Sequence, residues 1–325
     1  MAILGTTGSG KSYFVKLFIT RIADSLNKIF VLDPHGEYSS HFKELFNFND
    51  FFEVSIPNTI LFFDHEKLMD FLESYGVCFP SSSSKVYAVI QSEMARRVSN
   101  YESLGSTLSS IENALLTVKD SKGRTHEHLV PYLNSTRQII TDLFGSEVFE
   151  NQNEVLERIK GAFDSEKKVI IFNLKKVDEP MVRSEIAGYI LREIFKIGKK
   201  SGDFNSLVVL EEAHNFAPER GYGEVSAGRE NLSKIYAEKI ASEGRKFGLG
   251  LIVVSQRPAQ VSKFVLSQTN THVLFRIIND NDLKAIEQSI ESVSRNIVDK
   301  LPDLKTGYAF VTGTGIEIPT LVEIM

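Results

Sequence analysis

Residues 5–12 read Gly-Thr-Thr-Gly-Ser-Gly-Lys-Ser and decide the fold, because they match the phosphate-binding pattern G-x-x-x-x-G-K-[ST] in full. The apolar run Ala2–Leu4 precedes this motif, and a segment of helical character, Ser12–Asn27, follows it. Glycines let the backbone curl so that consecutive N–H groups face one anion, and the start of a helix adds its positive dipole end. Strand, glycine loop and helix in this order therefore predict a phosphate-binding loop.

The motif predicts the donors that would hold a nucleoside triphosphate. Lys11 is expected to bridge the β- and γ-phosphates, and the Ser12 hydroxyl is expected to ligate Mg²⁺. ATP and Mg²⁺ are accordingly the predicted cofactors. The predicted nucleotide-binding residues are Thr7, Gly8, Ser9, Gly10, Lys11, Ser12 and Tyr13.

Short apolar, β-branched runs alternate with amphipathic segments along the rest of the chain. Strand, helix, strand at this spacing indicates βαβ units, and runs that are apolar on both faces are typical of strands covered by helices. The sequence therefore predicts an α/β fold: a P-loop ATPase core with a mostly parallel sheet flanked by helices. The further runs are Ile29–Leu32, Val169–Leu174, Leu207–Leu210, Leu249–Ser255, Val273–Ile277 and Tyr308–Thr312, and the further helical segments are Pro180–Lys200, Lys234–Phe247 and Asn281–Lys300.

Residues 66–165 differ from this pattern, because helical periodicity dominates and strand signals are few. We interpret them as a helical subdomain inserted into the core. The expected organisation is a first part of the ATPase core at 1–65, the helical insertion at 66–165, and a second part of the core with a C-terminal strand at 166–325. The helices expected within the insertion are Lys85–Tyr101, Ser103–Val118, Pro131–Leu143 and Asn153–Phe163.

Polar residues that end two of the predicted strands are candidates for the chemistry. Glu211 and Glu212 follow Leu207–Leu210, and because side chains alternate along a strand the two acids need different tasks. Glu211 is expected near the metal and Glu212 as the general base for water. Gln256 follows Leu249–Ser255 and is the candidate sensor of the γ-phosphate. The alternatives are capping carboxylates at a polar strand end and, for Gln256, a helix or turn cap.

Asp33 ends the strand that follows the phosphate-loop helix. Open α/β sheets collect ligands at the carboxyl ends of their strands, so Asp33 and Glu37 could approach Mg²⁺ or its waters. The alternative is that residues 33–36, Asp-Pro-His-Gly, form only a turn.

Composition narrows the possible partners. The chain has 37 basic and 42 acidic residues and a net charge of −5, so any contact with nucleic acid must use a local basic surface. The one cysteine, Cys78, excludes an intrachain disulfide and a cysteine-based zinc cluster, and fits a reducing compartment. No run approaches the ~18 apolar residues of a membrane span and no signal peptide precedes the first motif, so we expect a cytoplasmic protein without a membrane partner.

Six stretches together resemble the HerA branch of the HerA/FtsK superfamily, hexameric ring ATPases that pump double-stranded DNA. The resemblance covers most of the chain outside the helical insertion and implies a RecA-like core. Full-length archaeal members carry an N-terminal β-barrel ahead of the core. Here the phosphate loop begins at Gly5, so we expect a core without that barrel, either as a minimal member or as a trimmed chain. The matching stretches are Gly5–Ser12, Val31–Tyr38, Leu210–Asn215, Glu243–Gly248, Ser255–Pro258 and Asn270–Arg276.

The resemblance also implies a homo-oligomer, expected to be a hexamer, with ATP sites between neighbouring subunits. Arg245 matches the arginine that one subunit supplies to the site of the next, and a guanidinium there can neutralise charge on the γ-phosphoryl group. The alternative is a solvated cation at a helix C-terminus. Arg276, at a strand end, is a second candidate for contact with nucleotide or a neighbouring subunit.

The function expected from these features is Mg²⁺-dependent ATP hydrolysis by a ring-forming motor on double-stranded DNA, with a nuclease or other effector as partner in DNA repair, end processing or antiviral defence. Loops facing the channel would grip phosphates, and their candidate residues are Lys175, Lys176, Arg220 and Arg229. The alternatives are an ATP-dependent assembly scaffold for an effector enzyme and a coupling ATPase of the export or conjugation type.

Overall fold

The computed structural model describes residues 1–150, 152–202, 204–222 and 231–324. Nine strands in these residues form one sheet in the order β3-β4-β2-β5-β6-β1-β7-β8-β9. In this order, every neighbouring pair from β3 to β7 is parallel, whereas the pairs β7–β8 and β8–β9 are antiparallel. This pairing confirms the mostly parallel sheet. The strands are β1 (Ala2–Leu4), β2 (Lys28–Asp33), β3 (Phe51–Ser55), β4 (Val169–Asn173), β5 (Ser206–Leu210), β6 (Leu249–Ser255), β7 (Thr271–Leu274), β8 (Tyr308–Gly313) and β9 (Thr320–Glu323).

Helices connect most of these strands and also make up the segment between β3 and β4. Their bounds are α1 (Lys11–Ile22), α2 (Tyr38–Phe46), α3 (His65–Ser74), α4 (Lys85–Ser99), α5 (Leu104–Thr117), α6 (Val130–Phe144), α7 (Gln152–Phe163), α8 (Pro180–Ser201), α9 (Leu232–Glu243), α10 (Lys263–Ser267), α11 (Asp280–Ser289) and α12 (Arg295–Val298). None of the helices in the described residues is long and apolar enough to cross a membrane.

The chain forms two compact units. The first comprises Met1–Ser55, Gly161–Lys175 and Ala187–Met325 and contains the whole sheet, and the second comprises Ile56–Lys160 and Lys176–Ile186. The organisation expected from the sequence, with boundaries after residues 65 and 165, stays a prediction.

The core of the first unit explains where the phosphate loop lies. Val15 and Ile19 of α1, four residues apart on one helix face, are fully buried and belong to the same apolar cluster as Ile3 of β1 and Val31 of β2. Packing of this face fixes α1 on the sheet, so the loop between β1 and α1 lies at the carboxyl edge of the parallel strands, where such sheets bind ligands.

The helices of the second unit show regular apolar periodicity and capping. The buried residues of α4 recur every four positions at Val86, Ile90, Met94 and Val98. The Ser84 side chain accepts a hydrogen bond from the N–H of Tyr87 and caps this helix. The four helices that the sequence predicts between residues 85 and 163 are present.

Some elements differ from the sequence prediction. Strands β3 and β9, and helices α2, α3 and α10, were not predicted; β3 and β9 are the two edges of the sheet, and their partly exposed residues form no continuous buried run. The predicted helix Asn281–Lys300 is broken after Ser289. Four of the five intervening residues disfavour a continuous helix, because Ile290 and Val293 are β-branched and Ser292 and Ser294 compete for backbone hydrogen bonds.

Candidate nucleotide site

The phosphate loop is anchored to both strands that flank β1. The N–H of Gly5 donates to the carbonyl of Ser255 at 3.2 Å, and the N–H of Thr6 donates to the carbonyl of Arg276 at 2.8 Å. Gly10, the residue before α1, has a φ of 107°, which only glycine adopts without strain. The loop therefore leaves β1 already tied to the ends of β6 and β7.

Replacing Gly5 with alanine should distort this loop, because the added methyl group would lie 2.6 Å from Cβ of Phe275 and 2.9 Å from Oγ of Ser9. We expect Gly5→Ala to lower the free energy of unfolding by about 1–3 kcal/mol and to weaken nucleotide binding, measured by thermal denaturation and by titration with a fluorescent ATP analogue. Gly161→Ala, in α7 with open space around the new methyl, is the control and should leave stability equal or slightly higher. A Gly5→Ala protein as stable as the unmodified chain would contradict the tight packing.

The ammonium group of Lys11 lies across the loop and donates to the carbonyl of Thr6 at 3.2 Å. Burial lowers the pKa of Lys11, and the negative charges of Glu212 and Glu211 oppose this shift. The structure thus brings the loop lysine close to the acid pair that follows β5.

Glu211 joins the phosphate loop to the first residue of α2. Oε1 of Glu211 accepts from the Ser12 hydroxyl at 3.4 Å, and Oε2 accepts from the Tyr38 hydroxyl at 2.7 Å. Burial raises the pKa of Glu211, while the bond from Tyr38 and the charge of Lys16 act to lower it. The structure therefore brings together the two residues that the sequence assigned to the metal.

These residues fit a magnesium ion by the chemistry of their oxygens. No cluster of three or more His, Cys, Asp or Glu side chains capable of holding a metal exists in the described residues. Mg²⁺ seldom needs such a cage, because it takes one or two protein oxygens and completes its octahedron with water and substrate phosphates. The Ser12 hydroxyl and the Glu211 carboxylate supply such hard oxygen donors.

Glu212 has an unusual backbone and a buried carboxylate. Its φ of 48° lies in the left-handed region, which costs a non-glycine residue about 1–3 kcal/mol. Oε2 is buried without a hydrogen-bond partner among the described residues, although Nδ1 of His214 lies 3.3 Å away. Burial raises the pKa of Glu212, and the positive charge of Lys11 is the largest effect that opposes this shift. Burial also lowers the pKa of His214 to about 4, so its imidazole is neutral at pH 7.

The end of β6 lies beside the start of the phosphate loop. The Thr7 hydroxyl donates to Oε1 of Gln256, so the sensor candidate contacts the loop directly. A cleft of about 570 Å³ opens there, lined in part by Gln256, Arg257 and Arg276. Nε of Arg276 is buried and has no hydrogen-bond partner within the described part of the chain.

Asp33 forms the turn that the sequence offered as the alternative. Its Oδ1 accepts from the N–H groups of His35 at 3.0 Å and Gly36 at 2.9 Å, and its Oδ2 accepts from the N–H of Tyr38 at 3.1 Å. Glu37 is exposed, and its carboxylate lies 3.7 Å from the ammonium of Lys16. A role for either acid near Mg²⁺ remains a prediction.

Arg245 does not join this site within one chain. It is exposed in the 3₁₀ turn Gly244–Phe247, which immediately precedes β6. In the parallel register Leu4 pairs with Ser255 at the other end of β6, next to the phosphate loop. Arg245 therefore lies at the amino end of β6, whereas the phosphate loop lies beside its carboxyl end.

Tyr13 and those candidate DNA contacts that the structure describes lie at the surface. Tyr13 is 44% exposed, and its ring packs on Phe46 with the ring centroids 5.3 Å apart. Lys175 and Lys176 are exposed in the segment after β4. Arg220 is also exposed, whereas Arg229 lies outside the described residues.

Three contact residues escaped the sequence analysis: Lys16, Tyr38 and Gly307. A signal existed for Lys16, because positions 12, 15, 16 and 19 form one face of α1 and a lysine there must be buried with a partner. Tyr38 lies in a stretch that the resemblance singled out, but nothing assigned its hydroxyl. Gly307, whose N–H donates to the carbonyl of Ser9 at 3.1 Å, carried no signal.

A parallel sheet with a phosphate loop after β1 and an acid pair after β5 defines a P-loop NTPase. The chain belongs to the family described as the central domain of helicase HerA (DUF87), whose family model matches residues 1–194. It is similar to the DNA double-strand break repair helicases HerA of Sulfurisphaera tokodaii and Saccharolobus solfataricus, at 27% identity to each over 341 and 333 residues. These alignments cover 100% of this chain but 64% and 63% of those proteins, so the chain spans less than two thirds of their length.

Solved structures share the fold at low sequence identity. The plasmid coupling protein TrwB in complex with ADP and Mg²⁺ superimposes with a TM-score of 0.60 at 11% identity, covering 100% of this chain and 84% of TrwB. VirB4 of Thermoanaerobacter pseudethanolicus gives a TM-score of 0.55 at 15% identity, covering 100% of this chain and 88% of VirB4. The likeness extends over the full length of the described fold.

Proposed function

We propose that this chain is the ATPase core of a ring-forming motor that hydrolyses ATP with Mg²⁺ and translocates on double-stranded DNA. The observation that carries the proposal is the 3.4 Å contact between the Ser12 hydroxyl of the phosphate loop and the Glu211 carboxylate. This contact joins the two parts that a P-loop enzyme needs at one edge of the sheet, with Glu212 beside them. The names of the HerA relatives supply the DNA substrate and the role in repair.

Each residue of the site has a proposed task in hydrolysis. Lys11 and the N–H groups of the loop bind the β- and γ-phosphates. Ser12 and Glu211 would hold Mg²⁺, which supplies positive charge against the phosphate oxygens. Glu212 polarises the attacking water through Oε2, which has no hydrogen-bond partner among the residues that the structure describes. Gln256 senses the γ-phosphate while bonded to Thr7.

A neighbouring copy would complete the site. β6 has seven residues and so spans about 20 Å, which separates Arg245 from the phosphate loop of its own chain. A guanidinium that far away cannot touch the γ-phosphate in cis. The exposed position of Arg245 suits insertion into the site of the adjacent subunit in a homo-oligomeric ring, which we propose is a hexamer.

DNA would be gripped through its phosphates. Lys175, Lys176 and Arg220 are exposed cations in segments near the carboxyl ends of strands, and we propose that they, with Arg229, contact the duplex. Such contacts are independent of base sequence and weaken as salt rises. A nuclease or other effector that receives the moving DNA is the proposed protein partner.

Duplex DNA should stimulate ATP hydrolysis by this chain, and the stimulation should fall between about 50 and 200 mM salt because phosphate contacts release counterions. The test measures the ATPase rate and the mass of the assembly by light scattering, with and without duplex DNA, at both salt concentrations. Replacing Lys175 and Lys176 with glutamine should reduce the stimulation and its salt dependence but leave the basal rate unchanged. A rate indifferent to DNA, combined with a tightly bound effector protein, would instead indicate an assembly scaffold.

A further inference from the structure

We infer that Tyr38 is a positioning residue that holds the Glu211 carboxylate toward Ser12, with the Lys16 ammonium as its fixed countercharge. The inference deepens the proposed function and rests on it, because it concerns how the metal-binding carboxylate is oriented. Neither the phosphate motif nor the acid pair assigns a task to Tyr38 or Lys16.

The two oxygens of Glu211 have separate partners. Oε2 accepts from the Tyr38 hydroxyl at 2.7 Å, whereas Oε1 faces the Ser12 hydroxyl at 3.4 Å. The strong bond to Oε2 therefore fixes the rotation of the carboxylate and leaves Oε1 on the side of the phosphate loop. Without this anchor the carboxylate could turn away. In the described residues, the longer bond from Ser12 is the only other hydrogen bond to its two oxygens.

Tyr38 can act as an anchor because it cannot move. It is 1% exposed, and its backbone N–H donates to Oδ2 of Asp33 at 3.1 Å. Its ring packs edge-on against Phe42, with centroids 5.7 Å apart and planes at 81°. A ligand is held precisely enough for chemistry only when its supporting group is itself locked by packing and hydrogen bonds.

Lys16 adds charge rather than a direct bond. Its side chain is 2% exposed, and its ammonium lies 4.9 Å from the centroid of the Tyr38 ring, bonded to Nδ1 of His41 and 3.7 Å from the Glu37 carboxylate. The positive charge of this buried ammonium attracts the Glu211 carboxylate. Tyr38 thus supplies orientation, and Lys16, four residues after Ser12 on α1, supplies positive charge.

The test uses Tyr38→Phe, which keeps the ring and removes only the hydroxyl. Mn²⁺ serves as the probe, titrated by electron paramagnetic resonance in the presence of a non-hydrolysable ATP analogue. We expect the Mn²⁺ dissociation constant to rise about tenfold, as for loss of one hydrogen bond to a charged group. The affinity for a fluorescent ATP analogue in EDTA should stay unchanged, because no phosphate contact is removed.

A matched control exists in the second unit, where the hydroxyl of Tyr75 donates to Oε2 of Glu179 at 3.0 Å. Tyr75→Phe removes the same kind of bond and should leave Mn²⁺ affinity as in the unmodified chain. Lys16→Met, which keeps an unbranched apolar side chain of similar length and removes the charge, should also weaken Mn²⁺ binding several-fold at unchanged metal-free nucleotide affinity.

The outcomes separate this inference from the proposed function. Equal Mn²⁺ affinity in Tyr38→Phe and the unmodified chain would overturn the inference alone. An equal loss of metal-free nucleotide binding would also overturn it, because it would mean that Tyr38 merely supports the fold. An unmodified chain that binds no Mn²⁺ with the analogue would overturn the proposed function as well.

Discussion

Replacing Arg245 with alanine should lower the turnover number for ATP hydrolysis by about 10³-fold or more while ATP still binds. Arg245 lies at the other end of β6 from the phosphate loop of the same chain. Removing its guanidinium therefore leaves Lys11 and Ser12 of that chain in place. Charge that develops on the γ-phosphoryl group in the transition state would then lack its trans partner. Steady-state ATPase rates and equilibrium binding of a fluorescent ATP analogue measure the two effects separately.

The matched control for this variant is Lys246→Ala, which removes a neighbouring exposed cation from the same turn. Its turnover should stay close to that of the unmodified chain. Mixing Arg245→Ala with Glu212→Gln subunits should restore part of the activity, because some interfaces combine an intact Glu212 with an intact Arg245. Wild-type turnover in Arg245→Ala, or no recovery on mixing, would refute the assignment of this arginine to the neighbouring site.

Glu212→Gln should lower turnover by about 10²–10⁴-fold and trap bound ATP, since an amide cannot take up the proton of the attacking water. The substitution is isosteric and leaves Glu211 and its contact with Ser12 in place, so nucleotide binding should persist. Single-turnover hydrolysis and the ATP-to-ADP ratio of the bound nucleotide measure this result.

Glu44→Gln on α2 provides the control, because this substitution removes one negative charge in the same way but from an exposed side chain. It should hydrolyse ATP at the unmodified rate. Rapid hydrolysis by Glu212→Gln would show that a different group activates the water, and Glu211 would then be the next residue to replace.

Local patterns were sufficient for the parts of the fold with strong periodicity. The phosphate motif, the buried strands and the helices between residues 85 and 163 depend on neighbours within a few positions, so their residue types reveal them. The edge strands β3 and β9 escaped because partly exposed strands lack a continuous apolar run. The break after Ser289 escaped because helical periodicity resumes a few residues later, at Arg295–Val298.

The same distinction between local sequence and tertiary structure applies to the candidate site. The sequence by itself determined which residues are candidate donors for phosphate and metal, because glycine loops, lysine and strand-end carboxylates have characteristic chemistry and spacing. Only the tertiary structure decided that Ser12 meets Glu211, that Tyr38 donates a hydrogen bond to this carboxylate from 173 positions away, and that Arg245 lies at the other end of β6 from the phosphate loop. The physical reason is that these relations follow from strand order and register, which are set by packing of the whole sheet and not by any neighbouring residues.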